Sequence, residues 1–120
     1  MPPESATLDP AALQRLHDLD PSGASRLVER VFKAFEDSIG RLRPQLLDAQ
    51  ARDDAAGVRH VAHTLKSSSA SIGAIKLSGL CAEIETMTRD GQTDGLPGRI
   101  DELCAEIDAV LAALKPDPTA

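Results

Sequence analysis

Hydrophobic residues recur every three or four positions along most of this chain, which is the spacing of one buried face on an α-helix. Four such stripes can be followed, separated by short polar or glycine-containing segments. They comprise Val28, Phe32, Phe35, Ile39, Leu42 and Leu46; Val58, Val61, Ala62, Leu65 and Ile72; Leu77, Leu80, Cys81, Ile84 and Met87; and Leu96, Ile100, Leu103, Ile107, Leu111 and Leu114. The pattern predicts four main helices.

Capping residues predict where several of these helices begin and end. Asp9 followed by Pro10 is typical of a helix start, because aspartate can cap the first turn and proline fits the first helical position. The same "LDP" triplet at 19–21 predicts a second helix start. Within the long stripe that follows, a proline at position 44 clashes with the carbonyl of Gly40. We therefore expect a kink or short break between Gly40 and Pro44.

Two further boundaries follow from residues with special backbone preferences. Asp53 or Asp54 can cap the helix that carries the second stripe, and Gly73 is typical of a left-handed C-cap after a helix ending near Ile72. Pro97 fits the first turn of the last helix. Because the connections near 52, 73 and 92 are short, successive helices must pack antiparallel.

The predicted fold is all-α: an antiparallel up-and-down four-helix bundle, with the short N-terminal helix as a lid. A chain of 120 residues with 42% hydrophobic content can bury one modest core, so we expect one domain. We place it at residues 8–115, with a flexible N-terminus over 1–7 and a flexible tail over 116–120.

The net charge of −6 argues against binding nucleic acid or an anionic membrane surface, since both require a basic patch. No apolar run approaches the roughly 20 residues that span a bilayer, and the first ten residues have neither a basic nor an apolar leader segment. We therefore expect a soluble, cytoplasmic monomer.

The two cysteines, Cys81 and Cys104, lack metal-ligand spacing, and counting outward from the last turn puts them nearly level. We predict neighbouring, reduced thiols.

Candidate chemistry is concentrated on the helix over residues 55–72. At about 100° per residue, His63 falls opposite the apolar positions and so faces solvent. A neutral imidazole there could act as a nucleophile toward an anion. A solvated helix face that bears a histidine by chance is the alternative, and spacing does not decide between them. On the same face of the helix, Arg59, Lys66 and Ser67 lie one turn from His63, and Ala70 lies two turns from it.

The segment "AHTLKSSSASIGA" over residues 62–74 resembles the signature of histidine-containing phosphotransfer (HPt) domains. The family pattern has a histidine in an "AHxLKG" context, with lysine three positions later and glycine about ten later. The matching residues here are His63, Lys66 and Gly73, while Ser67 stands where the family most often has glycine. The resemblance implies that His63 accepts the phosphoryl group and that Lys66 stabilises it.

The resemblance also implies a function and its partners. HPt domains carry a phosphoryl group between aspartates of receiver domains, which belong to response regulators or to a hybrid sensor histidine kinase. The receiver would supply Mg²⁺ and the catalytic groups, so no metal or cofactor is expected on this chain, and it would not be an enzyme in isolation. We expect a partner to dock around Arg59, His60, Ser67 and Ala70.

Two alternatives remain open at this stage. His60 lies one turn before His63 and is also exposed on the helical projection, although no lysine follows it by three positions. The chain could also be a helical interaction bundle that docks a signalling partner without being phosphorylated.

Overall fold

The computed structural model describes residues 8–23 and 26–114 of the chain. These residues form five α-helices and no strands. The helices are α1 (Pro10–Leu19), α2 (Leu27–Ala51), α3 (Ala55–Ser71), α4 (Ile75–Arg89) and α5 (Leu96–Leu114). The all-α prediction is confirmed, whereas the flexible ends predicted over 1–7 and 116–120 lie outside the described residues.

The short helix α1 is fixed at its start to the turn between α3 and α4. The Asp9 carboxylate accepts a hydrogen bond from the Ala11 N–H at 3.2 Å, as expected of an N-cap. The Asp9 backbone N–H donates to the carbonyl of Gly73 at 2.7 Å. Because Ala12 is also buried, α1 closes one end of the bundle, which confirms the predicted lid.

The second "LDP" triplet does not begin a helix. Asp20 ends α1, where its N–H donates to the His17 carbonyl, and α2 begins only at Leu27. The Asp20 carboxylate accepts a hydrogen bond from the Leu27 N–H at 3.2 Å, so Asp20 caps α2 from seven residues upstream. The prediction of a helix start at 19–21 is therefore wrong, because the Asp20 carboxylate caps a helix that begins at Leu27 rather than one that begins at Pro21.

Of the kink or short break predicted between Gly40 and Pro44, the break is absent, since α2 is helical without interruption from Leu27 to Ala51. Both residues are exposed, on the face of α2 that points away from the core. The Gly40 carbonyl, which proline deprives of its usual partner, therefore lies on the solvent side of the helix, where water can satisfy it. The buried stripe continues on both sides through Ile39, Leu42 and Leu46.

The turn between α3 and α4 depends on Gly73. This residue has a φ of +79°, and its N–H donates to the Ala70 carbonyl at 3.1 Å. The Ala74 N–H donates to the Ser69 carbonyl at 2.9 Å, which completes a Schellman motif. At the other end of α3, the Asp54 carboxylate accepts from the Gly57 N–H at 3.0 Å. Both predicted boundaries of α3 are confirmed.

Helices α2 to α5 pack in sequence around one core, and α5 returns to contact α2. Helix α3 thus lies between α2 and α4, diagonally across the bundle from α5.

Both cysteines are free thiols; Cys81 is fully buried in the core, whereas Cys104 is half-buried at its edge. The largest side chains that are completely buried are Leu46, Val61, Leu65, Ile72, Leu77, Ile84, Ile100, Leu103, Ile107 and Val110.

Candidate functional site

Helix α3 carries an exposed histidine, His63, between residues whose side chains are buried in the core. Ala62 and Leu65, on either side of His63 in sequence, have 0% and 1% of their surface exposed. The His63 side chain keeps 65% of its surface exposed and points away from the core. The prediction that His63 faces solvent is confirmed.

A carboxylate on α4 joins His63 to Lys66. One oxygen of Glu85 lies 2.6 Å from Nδ1 of His63, and the other accepts a hydrogen bond from the Lys66 ammonium at 2.5 Å. Lys66 therefore lies beside His63, as its offset of three residues predicts, but its direct partner is Glu85. The three side chains form one network at the α3–α4 interface, which we call the His63 network.

The antiparallel pairing of α3 and α4 brings Glu85 to this position. The two helices turn back at Gly73, so residues at similar distances from that turn lie level with each other. Buried Cys81 and Ile84 hold this part of α4 against the core. The Ser78 hydroxyl also donates to the Lys66 carbonyl at 3.1 Å, a direct link between the helices beside the site.

The His63 network sets the charge of its carboxylate. Hydrogen bonds from Lys66 and then from His63 hold the pKa of Glu85 below its usual value of 4.5. Glu85 is therefore ionised at neutral pH.

One turn away on α4, burial raises the pKa of the Cys81 thiol to about 12, so this sulfur stays protonated and unreactive at neutral pH.

An ionised Glu85 determines which nitrogen of a neutral His63 carries the proton. A carboxylate can only accept a hydrogen bond, so Nδ1 of a neutral His63 must carry the proton. The lone pair then resides on Nε2. Because the nitrogens of an imidazole point in nearly opposite directions, Nε2 faces away from Glu85. The arrangement orients an exposed imidazole on α3, with Nε2 free to act as a nucleophile when the ring is neutral.

The other predicted site residues fall into two groups. His60, Ser67 and Ala70 are exposed on α3, and Arg59 is half-buried one turn before His63. These four surround the histidine, as the helical spacing requires. Gly73 is buried in the turn, so its contribution is to the backbone geometry that positions α4.

Sequence reasoning missed Glu85, although a signal for it was present. Residues 63 and 85 lie almost equally far from the predicted turn at Gly73, so an antiparallel pairing of the two helices places them level. Counting residues outward from the last turn in the same way predicts that Cys81 lies nearly level with Cys104. Periodicity within one helix does not reveal which side chains meet across two helices.

Comparison with known proteins identifies the family of this bundle. The model of the Hpt domain family matches residues 26–113, which include α2 to α5 almost completely. The chain belongs to the Hpt family. Its fold also matches the crystal structure of histidine-containing phosphotransfer protein B (HptB) from Pseudomonas aeruginosa, with a TM-score of 0.76 and 30% sequence identity. The match covers 92% of this chain and 93% of that protein.

Family membership fixes the general function. This Hpt domain is a histidine phosphotransfer intermediate of a phosphorelay, and its partners in that relay are receiver domains. No curated protein sequence matches the chain significantly. Among the residues that the structure describes, no helix has the length and apolar character needed to cross a bilayer, and no group of three or more His, Cys, Asp or Glu is placed to hold a metal ion.

Proposed function

We propose that His63 accepts a phosphoryl group on Nε2 from the phosphoaspartate of one receiver domain and passes it to an aspartate of another. The observation that carries this assignment is the His63 network. It holds an exposed imidazole by Nδ1 against Glu85 at 2.6 Å and leaves Nε2 toward solvent. His60 is also exposed, but its ring makes no such contact among the described residues.

The transfer step conserves atoms and electrons without further reactants. The Nε2 lone pair forms a bond to phosphorus while the bond between phosphorus and the aspartyl oxygen breaks. The aspartate leaves as a carboxylate with that electron pair. The ring gains positive charge, and the Nδ1 proton remains hydrogen-bonded to the Glu85 carboxylate, which stabilises that charge. The reverse reaction delivers the group to the next receiver.

Lys66 has a defined electrostatic role in this scheme. A phosphoryl group brings negative charge close to Glu85, and two anions at short range repel each other. The Lys66 ammonium, bound to Glu85 at 2.5 Å, offsets that repulsion. We therefore assign phosphate stabilisation to Lys66 and nucleophilic attack to His63.

The receiver supplies the remaining chemistry in this proposal. Phosphoryl transfer depends mainly on positioning and on stabilising charge with cations. We propose that Mg²⁺ and the catalytic groups belong to the receiver, that this domain is not an enzyme in isolation, and that it acts as a cytoplasmic monomer. The receiver docks over Arg59, His60, Ser67 and Ala70, which surround His63 on α3.

The assignment is tested with His63→Gln. The unmodified chain and the variant are each mixed with the receiver domain of a hybrid sensor kinase. The aspartate of that receiver has first been phosphorylated with acetyl phosphate in the presence of Mg²⁺. Acid-labile phosphohistidine is then quantified. We expect His63→Gln to show no phosphohistidine and an unchanged helical circular dichroism spectrum, because the side chain lies outside the core.

His60→Gln is the matched control, since it removes an exposed histidine one turn away on the same helix. It should retain phosphoryl acceptance close to that of the unmodified chain. Phosphohistidine at normal levels in His63→Gln, or its loss in His60→Gln alone, would refute the assignment of His63.

A further inference from the structure

Ser67 differs from the other serines of the run over 67–71. The Ser68 hydroxyl donates to the Thr64 carbonyl at 3.3 Å, and the Ser71 hydroxyl donates to the Ser67 carbonyl at 3.0 Å. Ser69 is fully buried. The Ser67 side chain is exposed, and its hydroxyl has no hydrogen-bond partner in the described part of the chain. One hydroxyl of the run is thus available to a ligand.

The Ser67 hydroxyl is carried one helical turn after His63. Ser67 follows His63 by four residues on α3, so the two side chains are neighbours on the helix surface. Helical side chains lean toward the N-terminus of the helix, so the short Ser67 side chain covers the turn of α3 that carries His63.

The two flanks of His63 carry different groups. Lys66 and Glu85 occupy the flank toward α4, where they meet Nδ1. At about 100° per residue, Ser67 lies on the far side of His63 from Lys66. Since Nε2 faces away from Glu85, it is directed toward the flank that carries Ser67. A group attached to Nε2 therefore lies closer to the hydroxyl than to the network that orients the ring.

From these positions we infer that the Ser67 hydroxyl donates a hydrogen bond to an oxygen of the phosphoryl group on Nε2 of His63. This inference rests on the proposed function and adds a phosphoryl-binding residue to it. The O–H bond of Ser67 stays intact, and the serine is not itself phosphorylated. A serine side chain is small enough to leave Nε2 open to a receiver while adding a donor that glycine, the usual residue of the family here, lacks.

A donor at this position should prolong the life of the phosphohistidine. Hydrolysis passes through a loose, metaphosphate-like transition state, in which the phosphoryl oxygens carry less negative charge than in the ground state. A hydrogen bond to one of those oxygens is therefore stronger before the reaction than at the transition state. Its removal accelerates hydrolysis, whereas a variant that keeps the hydroxyl does not.

The experiment charges the complete chain with potassium phosphoramidate, which needs no partner protein. The phosphoryl group moves from the phosphoramidate nitrogen to His63, and ammonia leaves. Two-dimensional NMR identifies the phosphorylated nitrogen, and ³¹P NMR follows the phosphorus shift and the decay of the signal. The proteins compared are the unmodified chain, Ser67→Ala, Ser67→Thr and the control Ser68→Ala, which removes a hydroxyl already bonded within the helix.

We expect phosphorylation at Nε2 and a decay about fivefold faster in Ser67→Ala, the size of effect expected from one lost hydrogen bond. The ³¹P shift should move in Ser67→Ala, and both measurements should stay near those of the unmodified chain in Ser67→Thr and Ser68→Ala. A decay rate and shift unchanged in Ser67→Ala, or phosphorylation at Nδ1, would overturn this inference alone. If the unmodified chain forms no phosphohistidine, the proposed function fails and the inference fails with it.

Discussion

At the scale of single residues, Glu85 is the side chain on which the site depends most. Its two oxygens bind the imidazole of His63 and the ammonium of Lys66, so a single carboxylate orients the nucleophile and holds the neighbouring cation. Only 18% of the Glu85 side chain is exposed, compared with 65% for His63. The anion is thus sheltered between two helices while the reactive ring remains accessible.

Glu85→Gln should reveal this pairing through the pH dependence of stability. Because the folded-state pKa of Glu85 is lowered, its ionised pairing stabilises the fold above the ordinary pKa of 4.5, and the stabilisation is lost as pH falls through the lower folded value. Urea unfolding of both proteins between about pH 7 and 2 measures the effect. We expect the unmodified chain to be more stable at neutral pH, with the difference shrinking below about pH 4.5. A difference that is constant across this range would contradict the pairing.

At the scale of helices, the turn at Gly73 organises three elements. It ends α3 in a left-handed conformation, starts α4, and accepts a hydrogen bond from Asp9 at the start of α1. A Cβ added at Gly73 would lie 2.7 Å from Cβ of Ala12 and 3.1 Å from backbone atoms of Asp9. The residue therefore needs both the positive φ and the absence of a side chain. The same turn sets which residues of α4 lie level with His63.

Gly73→Ala should destabilise the bundle by about 2 kcal/mol or more, because alanine in the left-handed region costs roughly 1–2 kcal/mol before any clash with α1. The free energy of unfolding in urea measures the change. Gly79→Ala is the matched control, since that glycine lies inside α4 with no atom within 4 Å of an added Cβ. It should leave stability unchanged or raise it by up to about 1 kcal/mol. Equal stability of the two variants would contradict the role of the turn.

At the scale of the whole molecule, the charge of the site differs from that of the chain. The net charge is −6, yet α3 contains Arg59 and Lys66 and no acidic residue beyond its cap at Asp54. The exposed neighbours of His63 on this helix include His60 and the small residues Ser67 and Ala70. In an acidic protein, α3 thus contributes no carboxylate around His63, and the carboxylate that does lie there, Glu85 of α4, is paired with Lys66 and largely buried. This face of α3 favours approach of the acidic phosphorylation site of a receiver.

Ala70→Glu tests this surface. Ala70 is exposed two turns from His63, so glutamate there adds bulk and negative charge to the proposed docking face without entering the core. We expect the second-order rate of transfer from a charged receiver to fall by at least about tenfold, since like charges at an interface cost several kcal/mol. Transfer rates at low and high salt measure the effect, and high salt should restore part of the loss.

Ala109→Glu provides the control for that experiment. It places the same charge at an exposed position of α5, which lies diagonally across the bundle from α3. Its transfer rate should match that of the unmodified chain. If Ala109→Glu slows transfer as much as Ala70→Glu, the docking surface is not on α3.

The amino-acid sequence by itself determined most of the architecture and identified His63 as the candidate phosphoacceptor. Hydrophobic periodicity specified the helices and their buried faces, because side-chain direction within a helix follows directly from position. It also placed His63 toward solvent with Lys66 beside it, and Gly73 identified the turn after α3 through a backbone preference that is local.

Only the tertiary structure decided the contacts between elements. It brought Glu85 to both His63 and Lys66, used Asp20 to cap α2 from a distance, and carried α2 unbroken past Pro44. These outcomes depend on how far each helix is rotated and shifted against its neighbours, which packing of the whole core determines. The periodicity of one helix specifies which face is buried, but it does not specify the register between two helices. The orientation of the His63 imidazole depends on that register, because Glu85 lies on the neighbouring helix.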